Sequence, residues 1–145
     1  MHLTRLARCS AGGPLIEFAL ALPLALLLLV GGVELGRGMM QYLTVDKTMR
    51  DATRYLARVP EAALAGWGLD NARNLALTGT IDGSGGYLVS HWTSPQSVVL
   101  QQSSAPVLRI RLTASVPFQF ALLPIIGLPK QMTFTVTHEE RHIGE

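Results

Sequence analysis

The chain has 145 residues, which is enough for one small domain beside an apolar segment near its start. It contains 12 Lys and Arg against 10 Asp and Glu, and the resulting net charge of +2 gives no electrostatic basis for binding nucleic acid. The lone cysteine, Cys9, excludes an intramolecular disulfide, so the domain must be stabilised by packing.

An uncharged, apolar run lies near the N-terminus. Residues 18–33 carry no charged or polar side chain, and the segment counted from Pro14, which includes Glu17 near its start, has twenty residues. At about 1.5 Å of rise per residue, such a helix spans about 30 Å, the hydrocarbon thickness of a bilayer. Arg5 and Arg8 precede the run, and no acidic residue comes before Glu17. This asymmetry predicts a cytoplasmic N-terminus and an exported C-terminal part.

Beyond this run the apolar residues follow helical spacing and form one stripe. The stripe consists of Leu35, Met39, Tyr42, Val45, Met49, Ala52, Leu56 and Val59. Charged residues fall mostly off it, and the pairs Asp46/Arg50 and Lys47/Asp51 have opposite charges four positions apart. The pattern predicts that the helix continues out of the membrane to about Pro60.

The remainder predicts a small α+β domain. A short second helix is expected from Glu61 to Leu77, followed by a loop rich in glycine. Apolar and polar residues then alternate over 108–116 and 132–137, which predicts two half-buried strands, with 98–102 as a third. We expect these strands to form an antiparallel sheet that packs against the helices.

The connection from Leu122 to Pro129 is unusually apolar for a loop. We expect it to cover the core, and a contact with another subunit is the alternative.

These patterns divide the chain into four parts. We predict a cytoplasmic leader at residues 1–12, a transmembrane helix at 13–34, an amphipathic helical extension at 35–60 and a small periplasmic or extracellular α+β domain at 61–145.

Glu17 is the most informative residue of the apolar helix, because a carboxylate costs about 2.5–3.5 kcal/mol at mid-bilayer and less near the interface. Two interpretations remain open. Glu17 lies at headgroup depth, where the helix N-terminus favours an anion, or it pairs with a cation from another subunit. At the other end of the run, Gly32 and Gly36 form a small-xxx-small pair that would allow a partner helix to approach closely.

Several short motifs carry a family resemblance. The stretch from Gly12 to Phe18, followed by an apolar run, resembles the prepilin processing site of type IV-like pilins. The stretch Leu15–Leu24, together with Glu34-Leu-Gly-Arg37 and Ala52–Ala57, closely resembles the TadE-like group of tight-adherence pseudopilins.

This resemblance implies a processing event. A membrane-embedded prepilin peptidase would cut between Gly12 and Gly13, and Glu17 would become the fifth residue of the mature chain, followed by Phe18. It also implies a single-pass protein of the bacterial inner membrane that serves as a minor pilin or pseudopilin in assembly of a tight-adherence (Flp, type IVb) pilus. Its partners would be other pilin or pseudopilin subunits and pilus assembly proteins. We expect no enzymatic activity, no cofactor and no metal.

Two other functions are possible from sequence. The chain could be a secreted or membrane-anchored binding protein whose apolar run is an ordinary signal peptide, cut near Gly31 and Gly32. It could also be a zinc hydrolase, because residues 138–142 fit the HExxH pattern. That motif directly follows a strand pattern, and we therefore expect a solvated strand end there.

Overall fold

A computed structural model describes residues 12–104 and 106–144 of the chain. Most of the predicted leader, including Arg5, Arg8 and Cys9, lies outside the described residues.

The dominant element is a single long helix, α1 (Gly13–Leu56), of 44 residues. At about 1.5 Å per residue its length is about 66 Å. It ends before the predicted limit at Pro60: the N–H of Arg58 and of Val59 bond to the carbonyls of Tyr55 and Leu56, three residues back. A tighter final turn is expected here because proline disfavours helical backbone in the residue that precedes it.

The second helix is shorter than predicted. A 3-10 turn at Glu61–Ala63 comes first, and α2 (Trp67–Thr78) begins only after Gly66, whose backbone is not helical. Gly79 closes α2 with φ at 77°, and its N–H bonds to the carbonyl of Leu75. This left-handed conformation favours glycine and explains why the helix ends there.

Three strands form an antiparallel sheet in the order β1 (Val98–Ser103), β2 (Arg109–Gln119) and β3 (Gln131–Arg141). The central strand alternates as predicted, since Ile110, Leu112, Ala114 and Val116 are buried and the residues between them are more exposed. The fold is therefore the predicted α+β arrangement of a long N-terminal helix, a short second helix and a small C-terminal sheet.

The core lies between the sheet and the second half of α1. Val45, Met49, Ala52 and Leu56 are fully buried, which confirms this part of the predicted stripe. Leu35, Met39 and Tyr42 belong to the same stripe but stay exposed. One helix thus supplies both an uncovered apolar half and the central wall of the domain.

Candidate membrane and assembly site

The apolar half of α1 packs against no other part of the described chain. Its leucine side chains from Leu15 to Leu29 are all exposed. Among the described residues, α1 is the one helix long and apolar enough to cross a membrane. A helix covered on all sides by exposed leucine is unstable in water and suited to lipid. This half of α1 is therefore a candidate membrane anchor.

The predicted processing residues lie at the start of this anchor. Gly12 is the N-cap and α1 begins at Gly13, so the predicted scissile bond joins the cap to the first helical residue. Glu17 lies one turn further, and both Glu17 and Phe18 are exposed. No described residue packs against these four, and their role stays a prediction.

The predicted helix-packing pair, Gly32 and Gly36, also has no neighbour in the described chain on its face of α1. Cβ atoms built on Gly32 and Gly36 would meet nothing within 4 Å. The helix face that carries these glycines is free for another helix, and their function also stays a prediction.

A polar contact that we did not predict lies where the apolar run ends. Glu34 is only 2% exposed, and its Oε1 atom accepts hydrogen bonds from the backbone N–H groups of Ala121 (2.6 Å) and Leu122 (2.5 Å). Its Oε2 atom accepts a hydrogen bond from Nη1 of Arg37 at 2.7 Å. The Arg37 guanidinium in turn lies 5.7 Å from the ring centre of Phe118. We call these five residues the Glu34 junction.

The geometry of the Glu34 junction follows from the end of strand β2. After Gln119, Phe120 makes a last backbone bond to Lys130, and the next two N–H groups have left the sheet. A backbone N–H group removed from water needs an acceptor, and the buried carboxylate of Glu34 provides one for both. Together with Arg37, three donors surround this carboxylate. The sequence signal was an acid directly after an uncharged run, with Arg37 three positions later.

An apolar groove adjoins the Glu34 junction and has a volume of about 420 Å³. One wall is α1 from Gly31 to Tyr42, which includes the exposed stripe residues Leu35, Met39 and Tyr42. The other wall is formed by side chains of β2, β3 and the loop between them. The lining includes Phe118, Phe120, Leu123, Met132 and Phe134.

We expected the loop from Leu122 to Pro129 to cover the core, but it does not. None of its described side chains belongs to the core cluster, and Ile125 is 79% exposed. The core beneath the sheet is already closed by α1 and α2, so the loop instead extends past the sheet toward the end of the apolar run.

Residues 138–141 of the HExxH motif form the end of strand β3 and His142 follows it, as expected for a strand end. Residues four apart on a strand are separated by about 13 Å, which is too far to share one metal ion. Nε2 of His138 lies 2.9 Å from Oδ1 of Asp46, and Nε2 of His142 lies 2.8 Å from the carbonyl oxygen of Val59. His138 therefore joins β3 to α1, and His142 joins the residue after β3 to the turn that follows α1. No group of three potential metal ligands occurs in the part of the chain that the structure describes.

Of the two predicted ion pairs on α1, one is present. Nη2 of Arg50 lies 3.0 Å from Oδ2 of Asp46. Lys47 and Asp51, which the structure describes, form no ion pair with each other.

Comparison with known proteins finds a family similarity in the first helix. The family model described as TadE-like protein matches residues 15–54, which are 40 of the 145 residues. This segment is similar to the TadE-like family, and we call it the TadE-like segment. The TadE-like segment begins inside the apolar run, includes Glu34 and Arg37 and ends within the buried part of α1. A TadE-like segment and an apolar N-terminal helix fit a membrane protein associated with the tight-adherence pilus. No curated protein and no solved structure gives a significant match to the chain.

Proposed function

We propose that the protein is a minor pilin or pseudopilin: a single-pass, non-enzymatic membrane subunit used in assembly of a tight-adherence (Flp, type IVb) pilus. The observation that carries this proposal is the match of the TadE-like segment to a helix whose first half is uncovered and apolar. Such a helix needs either lipid or other apolar helices around it, and a pilus subunit uses both in turn.

The helix also favours retention of the apolar run over its removal. It continues without a break from Gly13 through Gly31 and Gly32 into the buried residues of the core. Removal near Gly32 would leave the Glu34 junction next to a new chain end. This argues against an ordinary signal peptide cut there.

Glu17 has a specific role in this proposal. Cleavage between Gly12 and Gly13 would create an α-amino group on Gly13. In the assembled state that cation would meet the Glu17 carboxylate of a neighbouring subunit in low-dielectric surroundings, where opposite charges attract strongly. An acid that is costly in the isolated chain would then set the register between subunits.

The orientation follows the charges at the N-terminus. The leader would lie in the cytoplasm, α1 would cross the inner membrane, and the sheet domain would be periplasmic or extracellular.

N-terminal sequencing of the mature protein tests the processing step. A start at Gly13 is expected if a prepilin peptidase acts on the chain. A start near Val33 would instead identify a secreted protein with an ordinary signal peptide, and would overturn the proposal.

Glu17→Gln tests the register. The substitution removes the charge and keeps the size of the side chain, so we expect processing to continue while sheared surface fibres and co-purifying subunits decrease. Glu61→Gln, an exposed acid in the domain, is the matched control. Unchanged fibre yield and unchanged complexes with Glu17→Gln would contradict the proposed role of the charge.

A further inference from the structure

The loop at residues 120–129, which we call the β2–β3 loop, exposes apolar side chains without a protein partner in the described chain. Its ten residues carry no charge. Ile125 is 79% exposed and Leu128 is 47% exposed. Apolar side chains that cluster in this way on a surface mark a contact with a membrane or with another protein.

The Glu34 junction fixes the depth of this loop relative to the helix. Ala121 and Leu122 bond to Glu34, the residue directly after the uncharged run. Leu123 lines the apolar groove together with Gly31, which lies inside the predicted span at 13–34. The loop is therefore held beside the last turn of the apolar run, where a membrane surface would be.

The surface between the helix and the loop is apolar on the groove side except for the buried Glu34 in the groove lining. Leu35 and Met39 are exposed on α1, and Met132 is exposed on β3. These three side chains line the groove between the helix and the loop. An apolar surface that is continuous with a membrane span is most simply covered by the same lipid.

The charges beside the loop suit lipid phosphates. Lys130 directly follows the loop and is exposed, and the side chain of Arg37 is 47% exposed at the Glu34 junction. No acidic residue occurs between Asp82 and Glu139 in the sequence. Basic residues at the edge of an apolar surface are favoured at a membrane interface that contains anionic lipid.

We propose that the β2–β3 loop is a second membrane contact, beside the helix. Ile125 and Leu128 enter the interfacial region of the leaflet on the domain's side, and Lys130 and Arg37 lie at the level of the lipid phosphates. The domain then rests on the bilayer surface. This inference depends on the membrane span of the proposed function.

Spin labelling of the full chain tests it in vesicles of phosphatidylcholine and phosphatidylglycerol. Single cysteines would be introduced in a Cys9→Ser background as Leu24→Cys, Ile125→Cys and Ile143→Cys. Each label would be assayed for collision with oxygen, which concentrates in lipid, and with a water-soluble nickel complex. Ile143 is the matched control, because it is exposed and its N–H bonds to Ala57, about 35 Å along α1 from Glu34.

The expected result is a high oxygen-to-nickel ratio at position 24, a raised ratio at position 125 and a low ratio at position 143. Equal, low ratios at 125 and 143 with lipid exposure at 24 would overturn the loop contact alone. An aqueous label at 24 would overturn the membrane span as well, and with it the proposed function. Protection of position 125 from both reagents would identify a protein contact and would also overturn the lipid assignment.

A second measurement tests the charges. In the Ile125→Cys background, Lys130→Gln is expected to increase nickel accessibility in vesicles that contain phosphatidylglycerol and to have less effect in pure phosphatidylcholine. The same change in both lipids would contradict the role of Lys130 at lipid phosphates.

Discussion

The carboxylate of Glu34 accepts a hydrogen bond from the backbone N–H of Leu122, a residue 88 positions further along the chain. This bond and its neighbour from Ala121 join the end of the apolar run to the loop that follows the central strand. The sheet domain is therefore attached to α1 at the residue where the uncharged run stops, in addition to its packing along the buried half of the helix.

Removal of the Glu34 carboxylate is expected to loosen this attachment. Glu34→Gln keeps an oxygen acceptor and loses the ion pair with Arg37, whereas Glu34→Ala leaves both N–H groups without an acceptor. Because charged acceptors form the stronger hydrogen bonds, hydrogen-exchange protection of the Ala121 and Leu122 amides should fall on the order of tenfold in Glu34→Ala and less in Glu34→Gln. Glu61→Gln should leave these amides unchanged. Wild-type protection in Glu34→Ala would show that the loop is held by other contacts.

Gly68 is expected to tolerate no side chain. A Cβ atom built there would lie 2.7 Å from Cγ1 of Val59 and 2.8 Å from the carbonyl oxygen of Ala63. Gly68→Ala should therefore lower the free energy of unfolding by about 1–3 kcal/mol, the usual cost of overpacking. The measurement is denaturant unfolding of the full chain in detergent micelles.

Gly66→Ala is the control for this substitution. Gly66 lies two residues away, and a Cβ atom built on it would lie 3.8 Å from its nearest neighbour, the carbonyl oxygen of Ala63. Its unfolding midpoint should stay close to that of the wild type. Equal midpoints for the two variants would mean that the turn before α2 moves freely to accept a methyl group.

Glu139 is expected to make stability depend on pH. Hydrogen bonds from Arg111 and then Arg109, across strands β2 and β3, lower the pKa of Glu139 below its ordinary value of 4.5. A carboxyl group whose pKa is lowered by folding stabilises the fold at neutral pH. This contribution is lost as pH falls through the folded-state pKa.

Unfolding of Glu139→Gln at several pH values measures this effect. At pH 7 the wild type should have a slightly larger free energy of unfolding than the variant. This difference should become smaller as the pH is lowered below the ordinary glutamate pKa. The effect is small because the pair faces solvent, and high salt should weaken it further. A difference that is the same at neutral and acid pH would assign the effect to packing.

The two open glycines on α1 should matter for assembly and not for folding. Gly32→Leu and Gly36→Leu place large side chains on a face that nothing described covers, so the domain should unfold at the wild-type midpoint. If a partner helix packs there, co-purification of other pilus subunits should decrease. Val33→Leu enlarges an exposed apolar neighbour and should have no such effect. If both glycine variants still formed complexes at the wild-type level, this face would be excluded as the site where a partner helix packs.

The elements that sequence predicted well are those with local periodicity. Strand β2 alternates between buried and exposed residues because each side chain's direction is fixed by its own strand. The inner half of the helical stripe, from Val45 to Leu56, was predicted for the same reason. The outer residues of the stripe, Leu35, Met39 and Tyr42, stay exposed because an open groove separates them from the side chains of β2, β3 and the loop. Periodicity alone does not give that separation.

The Glu34 junction could not be predicted from the pattern. Its partners at residues 121 and 122 are backbone N–H groups, which every residue except proline carries, so no side chain in the loop marks the contact. The apolar loop was misinterpreted for a related reason. Its composition predicted contact with apolar surroundings. Whether the core or another surface provides that contact depends on which other elements already pack against the core.

The continuity of α1 has a mechanical consequence. No flexible tether separates the apolar half of the helix from Val45, Met49 and Leu56, which are fully buried in the core. A pulling force on the apolar end would therefore be carried along a stiff shaft directly into the packing beneath the sheet. The Glu34 junction lies closest to that end and would bear the load first, so under tension the β2–β3 loop should detach before the core opens.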